Sequence, residues 1–360
     1  DLVMKAGFTP SSPPNFSASF ARPASGDTAT NSSGTILSRK YWVSIGRASR
    51  ELGGKIADRL GVELTDAGLK TFADGEVYCR YEESIRGADL FVVQSICGSE
   101  REGLTVNDAL WELLLMIHAA KHASAHRIVA VTPWYGYSRQ DKKSAPREPI
   151  SARLVAEVLE TAGIDRLVAM DLHAGQLQGF FSKPVDHMTA MPILTQFVQD
   201  RLGGRDLVII APDAGRVKLV RKFAQKVGAP YALMEKERPA QQVAEIGYVI
   251  GDVKNKTAVI VDDIIATGGT LNAAAQTVLD EGANEVFAVA THGLFSGNAF
   301  EVLQKGPLSG IVVTDTIPLE DGVPDLVTQL TCADVLEDSI RRIFTDDSVS
   351  EIFAGENQLF

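Results

Sequence analysis

From Lys40 onward the chain alternates short apolar runs with polar turns and amphipathic stretches. The apolar runs predict strands at Leu90–Gln94, Arg127–Thr132, Arg166–Met170, Leu207–Ala211, Ala229–Met234, Thr257–Val261, Val286–Thr291 and Gly310–Thr314. Several are nearly unbroken, the pattern of strands covered on both faces of a parallel sheet. Helical periodicity predicts Leu110–His122, Ile150–Glu160, Pro192–Arg201, Lys218–Lys226, Leu271–Glu281 and Ala333–Phe344. Gly61, Gly163, Gly203, Gly228 and Gly282 stand where such helices would stop. Strand–helix units in succession predict an α/β protein with mainly parallel sheets flanked by helices. The two halves share this rhythm, and a break near Pro184–Asp186 predicts two similar domains, 39–185 and 186–332. The closing helix and tail, 333–360, can return to pack on the first.

Residues 1–38 lack either period and are rich in Ser, Thr, Pro, Ala and Asn, the composition of a disordered leader. Their only acids are Asp1 and Asp27, against Lys5 and Arg22. Two readings stay open: a plain extension of a cytoplasmic protein, or a transit segment to a plastid or other organelle.

Composition narrows the function classes. The 360 residues carry a net charge of -11, which argues against nucleic acid or an anionic membrane as partner. Three scattered cysteines, Cys79, Cys97 and Cys332, suggest neither a disulfide framework nor a zinc cluster. No run of 18 apolar residues predicts a membrane span.

The most informative stretch is AVIVDDIIATGGTL, Ala258–Leu271. A buried strand ends there in Asp262 and Asp263, at the sheet edge where open α/β folds bind ligands. Thr267, Gly268, Gly269 and Thr270 then lead into a helix, offering backbone N–H groups and hydroxyls to a phosphate. The acids suit sugar hydroxyls, or a Mg²⁺ between them and a substrate. Together they describe a sugar-phosphate pocket.

This stretch resembles the phosphoribosyl-pyrophosphate signature shared by phosphoribosyltransferases and ribose-phosphate pyrophosphokinases. The latter family is also resembled by FADGE (72–76), PWYGYSRQDKKSAPREPISARLVA (133–156), MDLHAGQLQGFF (170–181), PDAG (212–215) and THGLFSG (291–297). The resemblance covers about Trp42 to Phe353 in the family's order. It implies transfer of the pyrophosphoryl group of ATP to ribose 5-phosphate with Mg²⁺, in the phosphate-activated class, by a homohexamer built from dimers. A phosphoribosyltransferase, or a weakly active regulatory subunit, is the alternative.

The resemblance also distributes roles. Arg139 and Gln140 contact ATP, as do Phe72, Asp74 and Glu76 reaching into a neighbouring subunit. His173 meets ATP phosphates and metal, and Asp213 meets metal or sugar phosphate. Lys236 and Arg238 belong to a loop closing over the reacting phosphates. Arg147, Ser296 and Asn298 match the region answering to inorganic phosphate and ADP. Asp262, Asp263 and Thr267–Thr270 hold ribose 5-phosphate. One departure stands out: the family typically has an acid where this chain has Ala266.

Overall fold

The computed structural model describes residues 29–30, 36–37, 40–237 and 246–353. Most of the expected leader lies outside them. Its described part is one short antiparallel pair, β1 (Ala29–Thr30) with β2 (Ile36–Leu37).

The first half builds a five-stranded parallel sheet from β3 (Tyr41–Ile45), β6 (Asp89–Val93), β7 (Arg127–Thr132), β8 (Arg166–Met170) and β9 (Val185–Met188), in that order. A small hairpin, β4 (Lys70–Thr71) and β5 (Val77–Tyr78), projects between its first two strands in the chain. The second half builds a seven-stranded sheet in the order β12–β11–β10–β13–β14–β15–β16. These are β10 (Leu207–Ala211), β11 (Tyr231–Glu237), β12 (Ile246–Ile250), β13 (Thr257–Ile265), β14 (Glu285–Gly293), β15 (Gly310–Thr314) and β16 (Val327–Leu330). All pairings are parallel except β11 with β12. The helices are α1 (Arg50–Leu60), α2 (Val106–His122), α3 (Ser151–Ala162), α4 (Met191–Leu202), α5 (Val217–Val227), α6 (Gly269–Asp280), α7 (Ala299–Gln304) and α8 (Ala333–Thr345). None of the described helices is long and apolar enough to cross a membrane.

Period-two alternation decides what each strand buries. Phe91 and Val93 of β6 face a core shared with Ile209 and Ala211 of β10. Leu90 and Val92 face α2 and α3 instead, and Val208 and Ile210 face α6. Helices α1, α4, α5 and α8 fill the shared core, so each sheet has one face on its own helices and one on a common layer. Helix α8 lies on the first half: Phe344 packs on Tyr41 with ring centroids 4.5 Å apart, and Arg59 pairs with Asp334. The first sheet also runs past residue 185, because β9 pairs with β8 through Met188.

Polar bonds stitch the strand ends of the two halves together. Ser95 Oγ donates to the Thr316 carbonyl (2.6 Å), and Lys55 pairs with Asp315 (2.9 Å). His292 Nε2–H donates to the Asp171 carbonyl (3.1 Å), leaving Nδ1 to accept from Thr316 Oγ1 (2.9 Å). His187 Nε2 accepts the Leu172 N–H (2.8 Å). Burial pushes both imidazoles below the usual histidine range, against the opposing pull of the Asp171 carboxylate.

A depressed histidine pKa means the unfolded chain binds more protons than the fold. The stability is therefore fully present above about pH 6.5 and is lost as pH falls below it. Urea unfolding should show a lower midpoint at pH 5.5 than at pH 7.5, and His187→Gln should flatten part of that slope. A midpoint constant across this range contradicts the assignment.

Candidate active site

The carboxyl ends of the two sheets face each other across the seam, and the charged residues collect there. Strand β13 runs on through Ile265, so Asp262 and Asp263 belong to its last turns of pleat rather than to the loop after it. Asp263 N–H donates to Asp262 Oδ1 (2.8 Å). Arg216 spans both carboxylates, with Nε 3.0 Å from Asp262 Oδ1 and Nη2 2.7 Å from Asp263 Oδ1. From the opposite half, His173 Nδ1 lies 2.6 Å from Asp263 Oδ2. Arg216 Nη2 also approaches His173 Nδ1 (3.1 Å), but a guanidinium has no acceptor to offer. The shorter contact therefore makes Nδ1–H the donor to Asp263, and Nε2 has no partner among the described residues.

One arginine cannot neutralise two adjacent carboxylates equally. Burial pushes Asp262 well above the usual carboxylate range, and the neighbouring Asp263 charge adds to the shift, outweighing Arg216. Burial acts the same way on Asp263, but the His173 bond and Arg216 overcome it and hold Asp263 down at about 2. As pH falls the pair therefore takes up its first proton chiefly on Asp262, while Asp263 stays ionised to lower pH.

His173 is placed by the turn that follows β8. Asp171 adopts φ 32°, a left-handed conformation that Asp tolerates better than most residues. Its buried Oδ2 accepts the Ala190 N–H (2.8 Å) and Thr291 Oγ1–H (2.6 Å), the latter from the second half. A cavity of about 250 Å³ opens beside this turn, with Asp171, Arg216, Asp262 and Asp263 on its polar side and Met191 and Phe223 on its apolar side.

The Thr267–Thr270 turn has the construction of an anion site. Gly268 has φ +79°, and a Cβ there would meet the Leu303 side chain at 2.6 Å, so glycine is required twice over. No side chain caps α6, which leaves the N–H groups of its first turn available. Thr267, Gly269 and Thr270 are exposed. The Ala266 carbonyl accepts the Ser296 N–H (3.0 Å), tying the β14–α7 loop to this turn.

The other expected residues fall in three groups. Gln140 sits after β7, its Oε1 accepting Ser151 Oγ–H (2.6 Å), while the next residue, Asp141, bonds Gln176 of the His173 segment. Arg139 beside them is exposed. Asp213 caps a short 3-10 turn through Oδ1 to the Arg216 N–H (3.2 Å), and its Oδ2 has no partner among the described residues. Phe72, Asp74 and Glu76 form the tip of the β4–β5 hairpin, where Asp74 Oδ1 accepts the Glu76 N–H (3.1 Å) and Gly75 has φ +94°. Phe72 is 45% exposed, and the tip shares no hydrogen bond or ion pair with the His173 cluster among the described residues. Arg147 is exposed at φ 72° and shares no such bond with Ser296 or Asn298. Lys236 lies in β11, but its side chain and all of Arg238 are outside the described residues.

Sequence reading missed Arg216. Its signal was a cation three residues after a strand-end acid, in PDAGR, within a half that already offered two more acids. Asp171 stands within the MDLHAGQLQGFF stretch with no role assigned to it. Nothing in sequence reports that its carboxylate crosses to Thr291.

A double α/β unit with paired acids, an uncapped helix start and a glycine turn defines a sugar-phosphate protein of phosphoribosyltransferase-like fold. Known proteins narrow the class. The family model for the N-terminal domain of ribose phosphate pyrophosphokinase matches residues 42–163, and that for the phosphoribosyl synthetase-associated domain matches 223–354. The chain is 47% identical over 309 residues to a ribose-phosphate pyrophosphokinase of Caldanaerobacter subterraneus subsp. tengcongensis, covering 86% of this chain and 96% of that one. The Clostridium acetobutylicum enzyme of the same name is 45% identical over 313 residues, covering 86% and 96%. The crystal structure of phosphoribosylpyrophosphate synthetase from Mycobacterium smegmatis superposes with a TM-score of 0.79 at 41% identity, over 85% of this chain and 99% of that one. The chain belongs to the ribose-phosphate pyrophosphokinase family.

Replacing Arg216 by Leu strands two carboxylates beside each other. Loss of a fully buried partner costs about 3–5 kcal/mol. Asp262 is 31% exposed, so about 2 kcal/mol is expected at neutral pH. The cost should shrink as pH falls and Asp262 takes up its proton, which urea melts at pH 7.5 and 5.0 would read. An equal cost at both values rejects the uneven proton distribution.

Proposed function

We propose that ribose 5-phosphate binds along Asp262–Thr270 and that ATP spans Arg139, Gln140 and His173 on the facing half. The reaction is the family's. The 1-hydroxyl oxygen of ribose 5-phosphate attacks the β-phosphorus of ATP, the bond from that phosphorus to the α-phosphate oxygen breaks, and the hydroxyl proton is lost. The products are 5-phosphoribosyl 1-pyrophosphate and AMP. The observation that carries the placement is the uncapped start of α6, directly after an acid pair that is itself hydrogen-bonded to His173 of the other half.

Each group has a physical task. The first turn of α6 and the Thr267 and Thr270 hydroxyls hold the 5-phosphate. Asp262, the acid left partly exposed, accepts from ribose hydroxyls. Arg216 restrains the acids until substrate arrives. His173 Nε2 and the open Oδ2 of Asp213 are the groups we assign to the phosphate side. Mg²⁺ is bound by one or two carboxylates and substrate phosphates rather than a dedicated cage, and among the described residues no cage of three or more His, Cys, Asp or Glu occurs. On this reading Asp213 and His173 would hold the ion beside the substrate phosphates, and it would supply charge neutralisation on the transferring group. Lys236 and Arg238 add cationic stabilisation as that charge develops. With no dedicated general base in the cluster, alignment carries most of the rate.

On this reading the ATP side is the unit expected over 39–185, carried through β9, and the sugar side is that expected over 186–332. The segment 333–360 closes on the first. The exposed aromatic tip of the β4–β5 hairpin supports a role for Phe72, Asp74 and Glu76 in a neighbouring subunit's ATP site, within a homohexamer of dimers. Arg147, Ser296 and Asn298 remain our reading for inorganic phosphate and ADP, and Ser296 supports it by its bond to the sugar-phosphate turn. A cytoplasmic place, or a plastid or other organelle if residues 1–38 are a transit segment, goes with this activity. Ala266 favours the second reading, a weakly active regulatory subunit.

Incubating the chain with ATP, Mg²⁺ and ribose 5-phosphate should give AMP and phosphoribosyl pyrophosphate in equal amounts, and neither without the sugar. Absence of both, with ATP still bound, moves the assignment to the regulatory subunit. Ala266→Asp should raise kcat or lower the ribose 5-phosphate KM. An unchanged enzyme shows that the alanine is tolerated.

A further inference from the structure

Away from the seam, the C-terminal half of α2 carries two exposed histidines one turn apart, His118 and His122. Side chains at i and i+4 share a helix face, and here the rings lie against each other with centroids 4.4 Å apart. Their Nε2 atoms are 3.2 Å apart, and neither ring has another hydrogen-bond partner among the described residues.

The pair is poorly explained by its own hydrogen bond. Two neutral imidazoles can share a single N–H between the two Nε2 atoms, and 3.2 Å is at the long end for such a bond. Two protonated rings would repel. The spacing does fit a common metal. Two Zn–N bonds of about 2.05 Å closing on nitrogens at that separation subtend about 103°, close to the tetrahedral angle.

We infer that His118 and His122 form a bidentate surface site for a divalent transition ion of the zinc class, separate from the catalytic Mg²⁺. Imidazole nitrogens suit Zn²⁺, Ni²⁺ and Cu²⁺, whereas Mg²⁺ prefers oxygen ligands and binds a bare imidazole pair poorly, so reaction-level Mg²⁺ does not compete. The helix terminus helps through the negative end of its macrodipole, although the Ala119, Ala120 and Lys121 carbonyls already accept N–H groups of the following turn. Lys121 opposes it, but that side chain lies against Gly163, where an added Cβ would come within 2.6 Å of its Cδ. No third His, Cys, Asp or Glu joins the pair among the described residues, so two coordination positions are left to water or to a donor from another molecule. Without a carboxylate behind either Nδ1, the site lacks the outer-shell support that strong zinc sites have. It should bind reversibly and exchange its metal readily.

The test is calorimetric titration of ZnCl₂ into the full chain in a non-chelating buffer containing Mg²⁺. His173 and Asp263 can also take Zn²⁺, so the comparison is between proteins rather than against zero. His118→Ala and His122→Ala should each remove one equivalent of binding, or weaken it at least tenfold, because either change converts a chelate into a single ligand. Both should leave Mg²⁺-dependent activity at the wild-type level, which also checks that they fold. Zinc binding identical in all three proteins overturns the site, as does loss in one variant alone, which would mean a single imidazole and no chelate.

Discussion

Asp171 is the residue on which the seam turns. Its carboxylate joins the helix start at Ala190 to Thr291 of the other half, and its carbonyl takes the N–H of His292. To make these bonds the backbone turns left-handed at φ 32°, a conformation that costs energy outside glycine and persists where the surroundings over-determine it. Two residues later stands His173. Were Asp171 relaxed to an extended conformation, the chain leaving β8 would point elsewhere and the His173–Asp263 bond could not form. The strain is stored next to the chemistry, and the shared core of α1, α4, α5 and α8 holds it there.

The charge pattern follows from that geometry. Two carboxylates at the end of one strand would repel, and a single guanidinium and a single imidazole meet them unevenly. Asp263 receives both, and Asp262 receives the arginine alone. One acid therefore stays ionised while the other keeps a proton more readily. On the proposed reading, a substrate bringing hydroxyls, or phosphates with their metal, meets Asp262, while Asp263 holds the Nδ1–H of His173. Neighbouring residues of the same type thus acquire different tasks because of what faces them.

What could be read from sequence follows from how local each signal is. Strands such as Leu207–Ala211 are continuous apolar runs, and they appear where the pattern puts them. The edge strands Val185–Met188 and Val327–Leu330 are shorter and only half-buried over much of their length, so their pattern is faint. The strand expected from Ala229 begins at Tyr231, because Pro230 has no N–H for the ladder. Gly61 and Gly228 end their helices left-handed, whereas Gly203 stays right-handed at φ -61° and is required for space instead, since a Cβ there would run into the Gln199 carbonyl oxygen. At the site, the acid pair and glycine turn were legible because each is a local pattern. Arg216, the reach of Asp171 to Thr291 and the pairing of His173 with Asp263 were not, since each is a contact between segments distant in sequence.

The same distinction bears on Ala266. The frame of the sugar-phosphate turn is built from backbone and packing: the left-handed Gly268, its contact with Leu303, the uncapped start of α6, and the Ser296 N–H on the Ala266 carbonyl. None of these uses the side chain at position 266. An alanine there preserves the shape of the turn and removes only a charge beside it. On the proposed reading, a missing carboxylate weakens what the turn offers to hydroxyls and metal, while the N–H groups proposed for the phosphate are unchanged. Anion recognition and sugar recognition are then separable in this loop, and the alanine bears on the second alone.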